Sequence, residues 1–106
     1  MRKSLLALGL ATAVFAAPSF AQANIEATMT KALCLTCHAK DKKLVGPSYK
    51  DVAAKYKGKA DAVAMLSAKV RKGGQGVWGP VPMPTTGADK ISDADLKAAI
   101  EWVLKQ

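Results

Sequence analysis

The sequence predicts an all-α fold built from about four short helices. Two observations carry that prediction. Apolar residues recur at helical spacing in separate segments, and glycines and prolines stand between those segments. No segment alternates apolar and polar residues over the length of a strand, so no strand is expected.

The first stripe is Ile25, Thr28, Met29, Ala32 and Leu33, with Asn24 as the N-cap. This helix is expected to run straight into the residues after Leu33. Gly46-Pro47 then breaks the chain, and Ser48 to about Lys57 reads as a short helix ended by Gly58. Its inner face holds Tyr49, Val52, Ala53 and Tyr56. A third helix spans Asp61 to Lys72, with Val63, Leu66 and Val70 inward and Gly73-Gly74 as its stop. In the last helix Ser92 and Asp95 form a shortened capping box, and Ile91 can staple onto Leu96. Leu96, Ala99, Ile100, Val103 and Leu104 make its apolar stripe, which is expected to pack across the first helix.

Between the third and last helices lies Gly76-Val77-Trp78-Gly79-Pro80-Val81-Pro82-Met83-Pro84. Its closely spaced prolines exclude helix and pre-set an extended backbone. Such a segment loses little entropy on ordering and suits a loop that holds one side chain, Met83, in place.

The N-terminus has the parts of a secretory leader. Arg2 and Lys3 precede an apolar run from Leu5 to Ala17, and Ala21-Gln22-Ala23 supplies small residues for cleavage. The run is too short to span a bilayer comfortably, although an uncleaved anchor is the alternative. Residues 1–23 are therefore expected to be a cleaved signal peptide, with cleavage after Ala23 or after Ala21. Residues 24–106 form a single domain. Removing Arg2 and Lys3 lowers the formal charge from +8 to +6. A bacterial source would place the mature protein in the periplasm, without stable membrane insertion.

Cys34-Leu35-Thr36-Cys37-His38 carries the chemistry. Two thiols three residues apart, followed at once by an imidazole, form the attachment signature of a c-type haem. The thiols would form thioethers with the porphyrin vinyl groups. A helical turn would put both sulfurs on one side, and His38 could then ligate the iron from below. The chain has no other cysteine or histidine. A structural zinc site usually needs four such ligands. A thioredoxin-like site belongs on a βαβ framework, which the pattern lacks. A Cys34–Cys37 disulfide remains the plain alternative for an exported chain.

Haem c, with its iron, also answers a size problem. So short a chain cannot bury a large core from its own side chains. The macrocycle would fill that deficit, and the haem-free chain is expected to be largely unfolded. Iron held by His38 has a sixth position, for which a thioether is a well-attested ligand. Met29 and Met65 stand at helix positions and are expected to fill the core. Met83, between two prolines on a stiff loop, is the candidate ligand.

The Cys34–His38 motif, Val45-Gly46-Pro47, Asp51-Val52-Ala53-Ala54-Lys55, Gln75 to Pro84 and Trp102-Val103-Leu104 together resemble a small bacterial class I cytochrome c, of the c-551 or c8 type. The resemblance covers essentially all of residues 24–106. It implies a small cytochrome c fold, wrapped around one haem with His38 and Met83 as axial ligands. It implies a one-electron carrier and not an enzyme, with no catalytic residue. It further implies that the Pro47 carbonyl accepts a hydrogen bond from the His38 ring, and that Trp78 donates its indole N–H to a haem propionate. Lys69 stands where relatives often carry an arginine to the propionates. The chain departs from the pattern after Met83, reading Pro84-Thr85-Thr86-Gly87-Ala88, with Thr86 where relatives have an asparagine.

Partners follow from charge and closed coordination. Lys40, Lys42 and Lys43 form one basic cluster, and Lys55, Lys57 and Lys59 a second. These are either a solubilising face or a steering surface for acidic redox partners. The expected donor is a membrane cytochrome complex and the expected acceptor a terminal oxidase or nitrite-type reductase. Nucleic acid is not expected as a partner in that compartment despite the positive charge, and a monomer is expected.

Overall fold

Helices α1 (Phe20–Lys31), α2 (Cys34–Cys37), α3 (Tyr49–Tyr56), α4 (Ala62–Lys72) and α5 (Asp93–Val103) follow one another along the chain. A hairpin of β1 (Gly74–Gly76) and β2 (Gly79–Met83) is set between the last two. The structure, a computed structural model, describes Gly9, Ala11, Thr12 and residues 20–106. The expected leader falls mostly outside the described residues, and α1 runs unbroken across both expected cleavage positions. Among the described residues no helix is long and apolar enough to cross a membrane.

Helix α5 is the hub. It packs against α1, α3 and α4, burying Leu96, Ala99, Ile100, Trp102 and Val103. Ser92 caps it by accepting from the Asp95 N–H at 3.2 Å, and Ile91 is buried beside it. Ser48 caps α3 in the same way, accepting from the Asp51 N–H at 3.1 Å. That helix buries Tyr49, Val52 and Tyr56, and Gly58 ends it at φ +79°.

Five expectations need correction. Asn24 lies a turn inside α1 and does not cap it; its carbonyl accepts from the Thr28 hydroxyl at 2.9 Å. The helix stops at Lys31 instead of running into the cysteines. Leu33 takes a left-handed backbone (φ +67°) and is 63% exposed, so it leaves the stripe. Met65 is 42% exposed and outside the core, whereas Met29 at 2% lies within it. Finally, the proline-rich segment is a strand. Gly74 pairs with Met83 and Gly76 with Gly79, leaving Pro80 and Pro82 unpaired in an irregular stretch. Gly76 and Gly79, both at φ +110°, turn the chain through Val77-Trp78.

The core is open at its centre. Among the described residues no large side chain falls below 2% exposure, because the buried cluster lines a cavity instead of closing on itself.

Candidate haem site

The site is assembled by the left-handed turn at Leu33, which starts α2 on a new axis. Cys34 and Cys37 sit at the two ends of this single turn, both half-buried and both free thiols. The His38 N–H donates to the Cys34 carbonyl at 3.0 Å, after which the backbone becomes extended (φ −125°, ψ 141°). The Gly46 N–H then donates to the Cys37 carbonyl at 2.8 Å, folding the 39–47 loop back over the motif.

That fold places Pro47 against the imidazole, with His38 Nδ1 2.8 Å from the Pro47 carbonyl oxygen. A carbonyl can only accept, so Nδ1 carries a proton, and in the neutral ring the lone pair is then on Nε2. This is the tautomer that a metal needs at Nε2. Two further residues, not singled out by the sequence pattern as site residues, hold the ring. Tyr49 stacks on it with centroids 5.1 Å apart and planes 16° apart, and Trp102 meets Tyr49 edge-on at 5.8 Å. Gly46 lies so near that an added Cβ would sit 2.5 Å from His38 Cε1. Tyr49 reads in sequence as ordinary helix core, and Gly46 as a breaker.

Cys34, Cys37, His38 and Pro47 share one mostly apolar cavity with Trp78, Lys69 and Met83. About 280 Å³ of it is open to the centres of water-sized molecules, roughly twenty times what one water needs. Met83 ends β2, and the chain there crosses Gly73 so closely that a Cβ on Gly73 would strike the Met83 carbonyl. Trp78 sits at the hairpin turn, 40% exposed, with Lys55 Nζ 5.5 Å above its ring. Lys69 is half-buried on α4, its Nζ beside Gly74. Met65 does not reach the cavity lining.

Burial pushes the Cys34 thiol above its ordinary range. Reactive and metal-binding cysteines are shifted the other way. A thioether carries no ionisable proton, so burial costs it nothing of this kind. Burial likewise raises Tyr49, with Cys34 and Cys37 adding to the effect, and its phenol stays neutral. An apolar cavity of this size, with two thiols one helical turn apart and an imidazole held in the right tautomer, fits a covalently attached macrocycle. The fold and the site define a c-type haem protein.

Relatives agree. The sequence profile of the family described as Cytochrome c matches residues 22–106. The chain is 51% identical over 76 residues to cytochrome c2 of Rubrivivax gelatinosus, covering 72% of this chain and 89% of that one. It is 51% identical over 73 residues to cytochrome c-551 of Pseudomonas aeruginosa, covering 69% and 67%. The crystal structure of Nitrosomonas europaea cytochrome c552 superposes with a TM-score of 0.69 at 44% identity, covering 76% of this chain and 96% of that one. The chain belongs to the cytochrome c family, class I, of the c-551/c-552 type. It is an electron-transfer protein carrying a c-type haem, not an enzyme.

Proposed function

We propose that this cytochrome is a periplasmic one-electron carrier whose haem iron is closed by His38 on one face and Met83 on the other. Bound haem supplies an iron whose charge changes by one. His38 contributes Nε2 from a ring already oriented by Pro47, Tyr49 and the missing Cβ of Gly46. Met83 contributes its sulfur from a strand end pinned against Gly73. With both positions taken, no substrate reaches the metal and little has to move when the charge changes. A thioether ligand also raises the reduction potential relative to two nitrogens. The single observation that carries this reading is that the oriented His38 ring and Met83 line the same cavity as the two thiols.

In this reading the Trp78 indole N–H and the Lys69 ammonium face the haem propionates, neutralising charge near the cavity mouth. Among the described residues Lys42, Lys43 and Lys57 make no ion pair and are exposed, whereas Lys40 is held 3.1 Å from Glu26 and lies over Trp102. The free lysines steer the protein to acidic docking sites. The leader exports the chain, which then shuttles as a monomer from a membrane cytochrome complex to a terminal oxidase or nitrite-type reductase. Mixing the reduced protein with membranes containing such an oxidase tests this. The expected result is rapid, stoichiometric oxidation; a haem that stays reduced would overturn the carrier assignment.

A further inference from the structure

Nine residues separate Met83 from the start of α5 at Asp93, and none of them belongs to a helix or strand. Ile91 anchors their far end in the core, and the side chain that ties the stretch together is Arg71, in the last turn of α4. One guanidinium nitrogen, Nη1, donates to the Thr86 carbonyl at 3.1 Å. The other, Nη2, donates to the Ile91 carbonyl at 2.8 Å and to Asp93 Oδ1 at 2.7 Å. The neighbouring Val70 carbonyl accepts from the Thr86 N–H at 3.0 Å. A single half-buried side chain thus spans the loop from three residues beyond Met83 to the first turn of α5.

The planar fork matters here. It reaches two carbonyls and a carboxylate at once, which a lysine ammonium cannot do with the same rigidity. Upstream of Met83 the hairpin and Gly73 fix the chain; downstream, Arg71 does so together with the Val70 carbonyl and the buried Ile91 side chain. We propose that Arg71 is the positioning residue for Met83, a clasp that sets how often the Met83 sulfur leaves the iron. The inference rests on Met83 being the axial ligand. If the clasp is released, the Thr86 and Ile91 carbonyls and Asp93 lose their shared donor, and the segment carrying Met83 is held downstream only by the Thr86 N–H bond to Val70 and the buried Ile91 side chain.

The test uses the ferric holoprotein and a competing ligand that can bind only when Met83 is off the iron. Imidazole is titrated into wild type, Arg71→Ala and Arg71→Lys, following the thioether-to-iron charge-transfer band. Leu104→Ala, at the opposite end of α5 from the loop, packed on the core but outside the cavity lining, controls for general loss of stability. The expected result is about a tenfold gain in apparent imidazole affinity for Arg71→Ala, equivalent to about 1.4 kcal/mol. Arg71→Lys should recover only part of the loss, and Leu104→Ala should leave affinity within twofold of wild type. Imidazole affinity unchanged in Arg71→Ala, or raised no more than in Leu104→Ala at equal melting temperature, overturns the clasp while leaving Met83 ligation standing. A wild type with no charge-transfer band overturns the ligation itself and the clasp with it.

Discussion

The backbone of Gly46 lies against the ring of His38 at a distance that leaves no room for a side chain. The same residue donates its N–H to the Cys37 carbonyl, and the next one, Pro47, supplies the acceptor for His38 Nδ1. One stretch of chain therefore sets the position, the tautomer and the clearance of the imidazole.

Gly46→Ala should push the ring away from Pro47 or force the loop outward. Overpacking of this sort costs about 1–3 kcal/mol. The expected outcome is a lower melting temperature for the holoprotein together with a shifted reduction potential, read by thermal melts and potentiometry. A change in melting temperature alone, with the potential untouched, would mean that Gly46 serves only packing.

The methionines separate by environment. If Met83 is the iron ligand, Met83→Ala should abolish the charge-transfer band and lower the potential, because a thioether ligand raises it. Met65 is exposed and off the cavity, so Met65→Ala should change stability by no more than about 0.5 kcal/mol and leave the band intact. Spectra and melts of the two variants check both halves.

Leu33 is a branched side chain in a left-handed turn, largely in solvent. That conformation costs an L-residue about 1–2 kcal/mol, and glycine escapes it. Leu33→Gly loses little burial and should stabilise the protein by about 1 kcal/mol after glycine's extra unfolded-state entropy is counted. Denaturant melts of the holoprotein measure it, with the potential unchanged.

If the lysine clusters steer encounter, electron-transfer rates with an acidic partner should fall about tenfold or more between low and high salt. Lys43→Glu, at the cavity mouth, should weaken that dependence. Stopped-flow rates across a salt series decide this; rates indifferent to ionic strength would leave the lysines as a solubilising face.

Much of this architecture was legible in the chain. The caps at Ser48 and Ser92, the stripe of α5 and the Cys34–His38 motif are local signals, and local physics delivers them. What escaped the pattern was decided by contacts distant in sequence. The hairpin forms despite glycine and proline because pairing of Gly74 with Met83 needs neither a side chain nor a proline N–H. The end of α1 is set by the need to reorient α2, which no propensity of Leu33 foretells. The stacking of Tyr49 on His38 and the reach of Arg71 to three acceptors appear only once the loops are folded.

Carbon monoxide added to the reduced protein tests the closed site most directly. With His38 and Met83 both on the iron, the absorption spectrum should not change. A prompt shift to a carbon monoxide adduct would reveal an open or loosely held face and contradict the carrier account.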